Sequence, residues 1–358
     1  MYQINHEDRP HEVPPRLFQP AEPPKGSHSR DSILARSRSV TKSTYKIVSA
    51  LAISAIALLN TPRLMAARAP NRATGTDALE LQVRLDRAGF SPGEIDGRDG
   101  QNTRKAVAAF QKARQPSSGN EGLLKALSGD AAETTVVYTI TAEDAAGPFT
   151  ETIPDDMAAK AKLPALHYTT LLEALSEKFH SAPALLKRLN PGASFAEGEQ
   201  IKVPNVSRTD EPAAGSARKP AGRVKVVVSK RASVLTAYDE KGQTIFHAPV
   251  TSGSMHDPLP LGQWAVTAVV SNPTFNYNPE LFWDAEPSQT KAKIPPGPNN
   301  PVGSVWIDLT KEHYGIHGTP EPGQIGHSTS HGCVRLTNWD AVKLAALVQK
   351  GTPVVFEE

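Results

Sequence analysis

One stretch gathers the residues with chemical reach: Ile316-His317-Gly318-Thr319, then Ser328-Thr329-Ser330-His331-Gly332-Cys333-Val334-Arg335-Leu336. Cys333 is the one cysteine of the chain. A thiol attacks as its thiolate, and an unperturbed cysteine is mostly protonated at neutral pH. A histidine within hydrogen-bond reach can take that proton. A third group must then hold the imidazole in one tautomer. Gly332 removes side-chain bulk just before Cys333, so backbone amides there can face a developing oxyanion. Small polar residues and glycine around the cysteine predict an exposed, shaped turn, whereas a structural cysteine sits more often in an apolar run. The chemistry this pattern supports is nucleophilic attack by a thiol.

The same region also admits a metal. His313, His317, His327, His331 and Cys333 lie close in sequence, and four nitrogen or sulfur ligands can make a structural zinc site. No paired Cys-x-x-Cys accompanies them. A lone cysteine excludes a disulfide within the chain. The 39 Lys and Arg against 37 Asp and Glu leave a net charge of +2, which gives no general argument for nucleic acid.

Elements must hold these residues in place. Residues 223–358 read as β-rich, with short β-branched runs at 224–228, 234–238, 244–250, 264–270, 305–308 and 353–356. One helix is expected at 339–350, with Thr337 or Asn338 as its N-cap and Gly351 closing its end. Residues 207–222 have linker composition. Within 136–206, helices are expected at 169–179 and 184–189 and a strand at 198–204. Within 77–127, Leu81, Leu85 and Ala88 share one helical face, and Ala106, Val107 and Phe110 point inward from a second helix. The turn-rich segment 89–97 joins the two.

Residues 1–45 are polar and poor in large apolar groups, the composition of a disordered segment. Within 46–69, the apolar run 47–59 is short of the roughly 20 residues a membrane span needs. It has the length of a signal-peptide core, with Ala67-Arg68-Ala69 as a cleavage site; uncleaved, it would remain as a membrane tether. Either reading places the rest outside the cytoplasm. The 31 prolines, many in linker-like stretches, predict modules strung on linkers over one compact body.

The His-Gly pair followed by Ser-His-Gly-Cys resembles the catalytic motif of L,D-transpeptidases, the YkuD family. The likeness extends upstream through 226–238, Val250-Thr251-Ser252-Gly253 and Pro260-Leu261-Gly262-Gln263-Trp264, and covers 223–358. It implies Cys333 as the acylated nucleophile, His317 as its base, and the Gly318 carbonyl as the group orienting the imidazole. Amides of His331, Gly332 and Cys333 would form the oxyanion hole. Ser330 and His331 would shape the pocket, and Arg335 would contact substrate or brace the loop. The implied donor is the tetrapeptide stem of peptidoglycan, and the acceptor an amine on a diamino acid or a protein. That reaction makes 3→3 cross-links or attaches proteins, needs no metal or organic cofactor, and exposes the thiol to carbapenems. Zinc is set aside, because the likeness gives His317 and Cys333 other work.

Leu81-Gln82, Leu85, Gly89-Phe90, Gly93, Ile95-Asp96-Gly97, Gly100, Thr103, Ala106-Val107 and Phe110-Gln111 resemble the small helical peptidoglycan-binding domain. Residues 136–206 follow the element order of a LysM glycan-binding module, although a Pro-containing insert separates Tyr138-Thr139-Ile140 from the helices. The expected fold class is therefore multidomain: an all-α peptidoglycan-binding domain, an α+β LysM-like or spacer segment, and a β-rich, sandwich-like catalytic domain. The expected location is the periplasm or cell envelope. The tethered arrangement predicts that removing 70–222 weakens wall binding and spares soluble chemistry. Two other readings remain: an L,D-carboxypeptidase or endopeptidase of the same fold, with water as acceptor, and a catalytically silent wall anchor. Intact Cys333 and His317 weigh against the second.

Overall fold

A computed structural model of the chain describes residues 75–115, 119–127, 132–206 and 222–358. The expectations for 1–45, for the signal segment 46–69 with its apolar run 47–59, and for the linker 207–221 lie outside the described residues.

The first module has three helices, α1 (Gly75–Arg87), α2 (Gln101–Arg114) and α3 (Gly119–Leu127). Leu85, Phe90, Ala106, Phe110, Leu123 and Leu127 form its apolar centre. Phe90 and Phe110 meet edge to face at 5.2 Å, a favoured aromatic geometry. The turn between α1 and α2 is held by one buried side chain. Gln82 donates to Asp96 Oδ1 at 2.9 Å and Thr103 Oγ1 at 3.1 Å, and its own oxygen accepts from Gly97 N at 2.8 Å. A buried amide must be satisfied in this way.

The second module runs β1 (Thr135–Thr139), α4 (Ala142–Ala146), α5 (Met157–Lys160), α6 (Leu171–Lys178), α7 (Pro183–Leu189) and β2 (Gln200–Pro204). β1 and β2 pair antiparallel, with Tyr138 opposite Ile201. The Thr170 hydroxyl caps α6 by accepting from Glu173 N. Ile140, Leu175, Phe179, Leu186, Ile201 and Val203 pack between the strands and the helix pair.

The third module carries β3 (Lys225–Ser229), β4 (Val234–Tyr238), β5 (Thr244–Pro249), β6 (Thr251–Ser252), β7 (Gly262–Ser271), β8 (Phe275–Tyr277), β9 (Ala292–Ile294), β10 (Val305–Leu309), β11 (Gly315–His317), β12 (Val334–Arg335), α8 (Asn338–Leu347) and β13 (Pro353–Glu357). Nine strands join in the order β5-β4-β3-β13-β7-β10-β11-β12-β6, and β8-β9 form a separate hairpin. Strand β7 pairs with β13 over Gly262–Ala265 and with β10 over Val266–Ser271. It thus passes from one half of the sheet to the other. Both halves and α8 share one core, in which Val226, Leu235, Phe246, Ile307, Ile316 and Leu344 are buried. That closure is the sandwich-like β-rich arrangement the sequence predicts. Helix α8 takes its cap from Thr337, whose hydroxyl accepts from Asp340 N at 3.2 Å. It ends sooner than expected because Val348 is already extended.

The modules are not strung apart. The described residues belong to one compact unit, because each module leaves polar groups that only its neighbours satisfy. Ser91 donates to Asp340 Oδ2 at 2.7 Å, and Ser91 N donates to the His247 carbonyl at 2.7 Å. Ile95 exchanges backbone bonds with His180 and Ala182. Asp86, fully buried, meets Lys343 Nζ at 3.0 Å and His180 Nδ1 at 3.2 Å, and His180 stacks on Trp339 at 5.1 Å. The insert between β1 and α6 leaves its own module: Leu166, Met157 and Leu163 join Phe275, Tyr277 and Ile294 in one apolar cluster. Leu166 N donates to the Pro296 carbonyl, and Asn299 N donates back to the Leu166 carbonyl. The described modules are thus docked on one another, where the composition predicted modules strung on linkers.

Candidate active site

Two adjacent strands place His317 and Cys333. β11 and β12 run parallel, with Ile316 opposite Val334 and His317 opposite Arg335. Cys333 directly precedes β12, and Leu336 N donates to the His317 carbonyl at 2.8 Å. Side chains alternate across a strand. Ile316 thus points into the main core, and His317 points to the other face. There His317 meets its cross-strand neighbour Trp306, stacked at 5.4 Å and 18°. Trp306 and Cys333 belong to the same buried cluster, with Leu166 of the second module. Trp306 is itself fixed: its indole N–H donates to Asp308, which also accepts from Thr267.

His317 Nδ1 lies 2.7 Å from the Gly318 carbonyl oxygen. That oxygen only accepts, so Nδ1 carries the proton and Nε2 is the basic nitrogen. The Gly318 peptide has its own support. A Cβ at Gly318 would come 2.1 Å from Asn338 Oδ1, and one at Gly303 would come 2.0 Å from the same atom. Asn338 accepts from Ser304 N at 3.0 Å and donates to the Pro298 carbonyl at 3.2 Å.

Ser330 clamps the turn that carries Cys333. Its hydroxyl donates to the Cys333 carbonyl at 2.6 Å and accepts from Gly253 N at 2.8 Å. Gly332 needs its glycine: φ is +101°, and a Cβ would meet Tyr314 Cε1 at 2.5 Å. His331 lies on the outer side, half-buried, with Nε2 2.8 Å from Asp284 Oδ1 and its ring 5.0 Å from Phe282. Trp283 is exposed beside it, stacked on His256.

The expected exposed turn is not what forms. Cys333 is 1% exposed and His317 0%, because Trp306, Tyr314 and the second module's insert enclose the pair. Burial pushes the thiol up to about 11. Burial first, and then the Arg335 charge, depress the imidazole to about 3. Both groups are uncharged at neutral pH, with the cation of Arg335 alongside. The thiol Sγ lies 3.9 Å from the His313 carbonyl oxygen. Of the five residues of the zinc alternative, His317, His331 and Cys333 are turned to these other partners and His313 Nε2 lies 3.5 Å from Glu312, and among the described residues no group of three or more His, Cys, Asp or Glu can hold a metal.

Trp306, Tyr314, Asn338 and Asp284 were not legible as site residues. Trp306 arrives through strand register and Asp284 from a distant loop, whereas Tyr314 and Asn338 lie within five residues of His317 and Cys333 but outside the motif. The glycines at 303, 315 and 318 were the available trace, since each marks a close approach to Trp306 or Asn338.

The family model described as the YkuD "L,D-transpeptidase catalytic domain" matches residues 223–356, and the one described as "Putative peptidoglycan binding domain" matches 74–118. A relative named "Putative L,D-transpeptidase YqjB" from Bacillus subtilis is 30% identical over 140 residues, covering 37% of this chain and 70% of that protein. "Putative L,D-transpeptidase YkuD" from Bacillus licheniformis is 26% identical over 186 residues, covering 51% of this chain and 91% of that protein. Among solved structures, an L,D-transpeptidase from Mycobacterium smegmatis matches 45% of this chain and 64% of its own, at 18% identity and a TM-score of 0.32. L,D-transpeptidase 3 from Mycobacterium tuberculosis, solved with a faropenem-derived adduct, matches 38% of this chain and 60% of its own, at 18% identity and a TM-score of 0.32. The chain thus spans less than two thirds of either solved protein. Shared sequence across the β-rich module, carrying the His317 and Cys333 strands, places this chain in the L,D-transpeptidase family of the YkuD type.

Proposed function

We propose that the chain is a peptidoglycan L,D-transpeptidase that works through a thioester on Cys333. The observation that carries this is the seat of His317: Nδ1 bonded to the Gly318 carbonyl at 2.7 Å, on a strand in register with the one Cys333 begins. With Nδ1 protonated, Nε2 is the base. Sγ attacks the carbonyl carbon between the diamino acid and the terminal D-Ala of a tetrapeptide stem. The thiol proton passes to Nε2 and then to the departing amine of D-Ala, leaving a thioester. An acceptor amine attacks that thioester, gives its proton to Nε2, and releases the thiol as the new amide forms. Amides of His331, Gly332 and Cys333 are the proposed oxyanion donors, and Arg335 the proposed cation for a substrate carboxylate.

Because thiol and imidazole both rest uncharged, the proton moves as the bond to carbon forms. The buried, preorganised setting is where aligned dipoles count most. The module at 136–206, which carries four helices between its antiparallel strands β1 and β2, is proposed as a LysM-like glycan reader or spacer on the α6–α7 pair that leads into β2. A substrate in the wall, together with the apolar run 47–59, supports export to the periplasm or cell envelope. A 3→3 cross-link is the proposed product when the acceptor is a second stem.

The test is intact mass of the full chain after mixing with disaccharide-tetrapeptide, beside Cys333→Ala. An acyl adduct or D-Ala release in the parent alone supports the thioester, and a dimeric product supports transpeptidation. Tripeptide with no dimer or amine adduct sinks transpeptidation and leaves a hydrolase. Failure of both peptide and carbapenem to label Cys333 leaves a wall anchor.

A further inference from the structure

Far from Cys333 along the sheet, the first module docks beside the β5 edge. Helix α2 stands against the outer face of β3, β4 and β5 and leaves a groove of about 620 Å³ between them. This volume is within the usual range for ligand pockets, about 300–1,000 Å³. The groove exists only because two modules meet; neither α2 nor the sheet encloses it alone.

Its two walls differ. The helical wall presents Lys105, Lys112 and Arg114 above a strip of alanines, Ala108, Ala109 and Ala113. The sheet wall presents hydroxyl and amide groups, among them Thr236, Thr244, Tyr238 and Gln243. Glu357 is the one acid among the described lining residues, so cations outnumber anions three to one. Lys112 and Arg114 are exposed, whereas Lys105 is partly buried and donates to the Ser233 carbonyl at 3.4 Å. The Arg114 guanidinium lies 5.7 Å from the Phe90 ring centre, which holds it near the groove.

His247 lies in the lining and is 3% exposed. Its Nδ1 is engaged by the Thr236 hydroxyl at 2.9 Å, and its Nε2 has no hydrogen-bond partner among the described residues. Burial first, and then the Lys105 charge, depress this imidazole to about 4, so it is a neutral polar group at pH 7. A buried polar atom left unpaired costs stability.

We propose that this groove is a second binding site that takes a peptide stem bearing free carboxylates, with the carboxylates on Lys112 and Arg114 and small methyl side chains against the alanine strip. Charge complementarity selects the anion. The alanine strip and the hydroxyl face select a short peptide with methyl groups over a bare inorganic ion. The proposal rests on peptidoglycan as the substrate and adds to it a docking site remote from the thiol. Such a site would hold one strand of the wall while another is processed.

The test uses the full chain carrying Cys333→Ala, so that no turnover intervenes. The probes are the free tetrapeptide L-Ala-D-iGlu-diaminopimelate-D-Ala, the same peptide with its carboxyls amidated, and inorganic phosphate, each titrated by calorimetry. Against this background, Lys112→Glu with Arg114→Glu is expected to weaken the free tetrapeptide about tenfold, as two exposed ion contacts allow. Lys112→Arg with Arg114→Lys is expected to retain affinity, and added salt to weaken the parent. Equal affinity of parent and charge-reversed protein overturns the site, as does equal binding of the amidated peptide. Phosphate binding as tight as the peptide overturns the peptide assignment. Both positions are exposed, and an unchanged melting temperature checks the fold. Carbapenem labelling of Cys333 in the otherwise unaltered Lys112→Glu, Arg114→Glu chain reads the catalytic proposal separately: labelling without a change in peptide affinity discards the groove and keeps the enzyme.

Discussion

Lys343→Met is the most informative single change at the junction between modules. Asp86 is fully buried, with Lys343 Nζ at 3.0 and 3.1 Å from its two oxygens and His180 Nδ1 at 3.2 Å. Burial alone would raise the Asp86 pKa; the charge of Lys343, and next that of His180, outweigh it and hold the carboxyl well below the usual carboxylate range. Removing one partner of a buried pair costs about 3–5 kcal/mol, because the other charge is left uncompensated. His180 remains alongside, which favours the lower end, about 3 kcal/mol at pH 8. For a unit of this size that lowers the melting temperature by about 6–12 °C. Removing both charges, Asp86→Asn with Lys343→Met, should cost less than the single change, since no charge stays buried. Urea titrations of the parent, the single variant and the double variant at pH 8 measure all of this. A single variant within about 0.5 kcal/mol of the parent, or a double variant as unstable as the single, refutes the reasoning.

The depressed imidazole and raised thiol predict that carbapenem acylation of Cys333 stays flat from pH 5 to pH 8; an inflection near the ordinary histidine value, about 6.5, would show a charged pair. The same depression of His317, to about 3, has a stability sign. The folded protein refuses a proton that the unfolded chain binds, so stability falls as pH drops from about 6.5 toward 3, by up to about 1.4 kcal/mol per pH unit. Leu166→Ala should cost about 2–5 kcal/mol as a cavity in the cluster that contains Cys333, and a 223–358 fragment should bind a hydrophobic dye and acylate more slowly than the full chain. That reverses the expectation that soluble chemistry survives loss of 70–222, and equal acylation rates would restore it. Ser330→Ala leaves a buried Gly253 N–H unsatisfied, at about 1–3 kcal/mol, and should slow acylation more than the melting temperature alone explains.

Much of the site was legible because it is written locally. Ser-His-Gly-Cys, the His-Gly pair and the β-branched runs lie within a few residues of the atoms they organise. The strands at 224–228, 234–238, 264–270 and 305–308 form within two residues of their expected ends. What was not legible depends on residues far apart in sequence. Cys333 is buried because Leu166, more than a hundred residues earlier, folds over its cluster. Composition could not reveal that Ser91 finds Asp340, or that Asp86 finds Lys343, and so prolines read as slack. The β8–β9 hairpin, three residues a side, is too short for a periodic signal.

The loop between β11 and β12 must cross over, because those strands are parallel. Midway along it, Ile325 accepts from Asn102 Nδ2 at 2.8 Å, on the first turn of α2. The front module therefore sits on the chain segment that leads to Cys333. A leash would let the thiol sample any strand within a radius; this joint works as a ruler. A polymer bound by the front module would be presented at a set offset and angle from the loop that leads to Cys333.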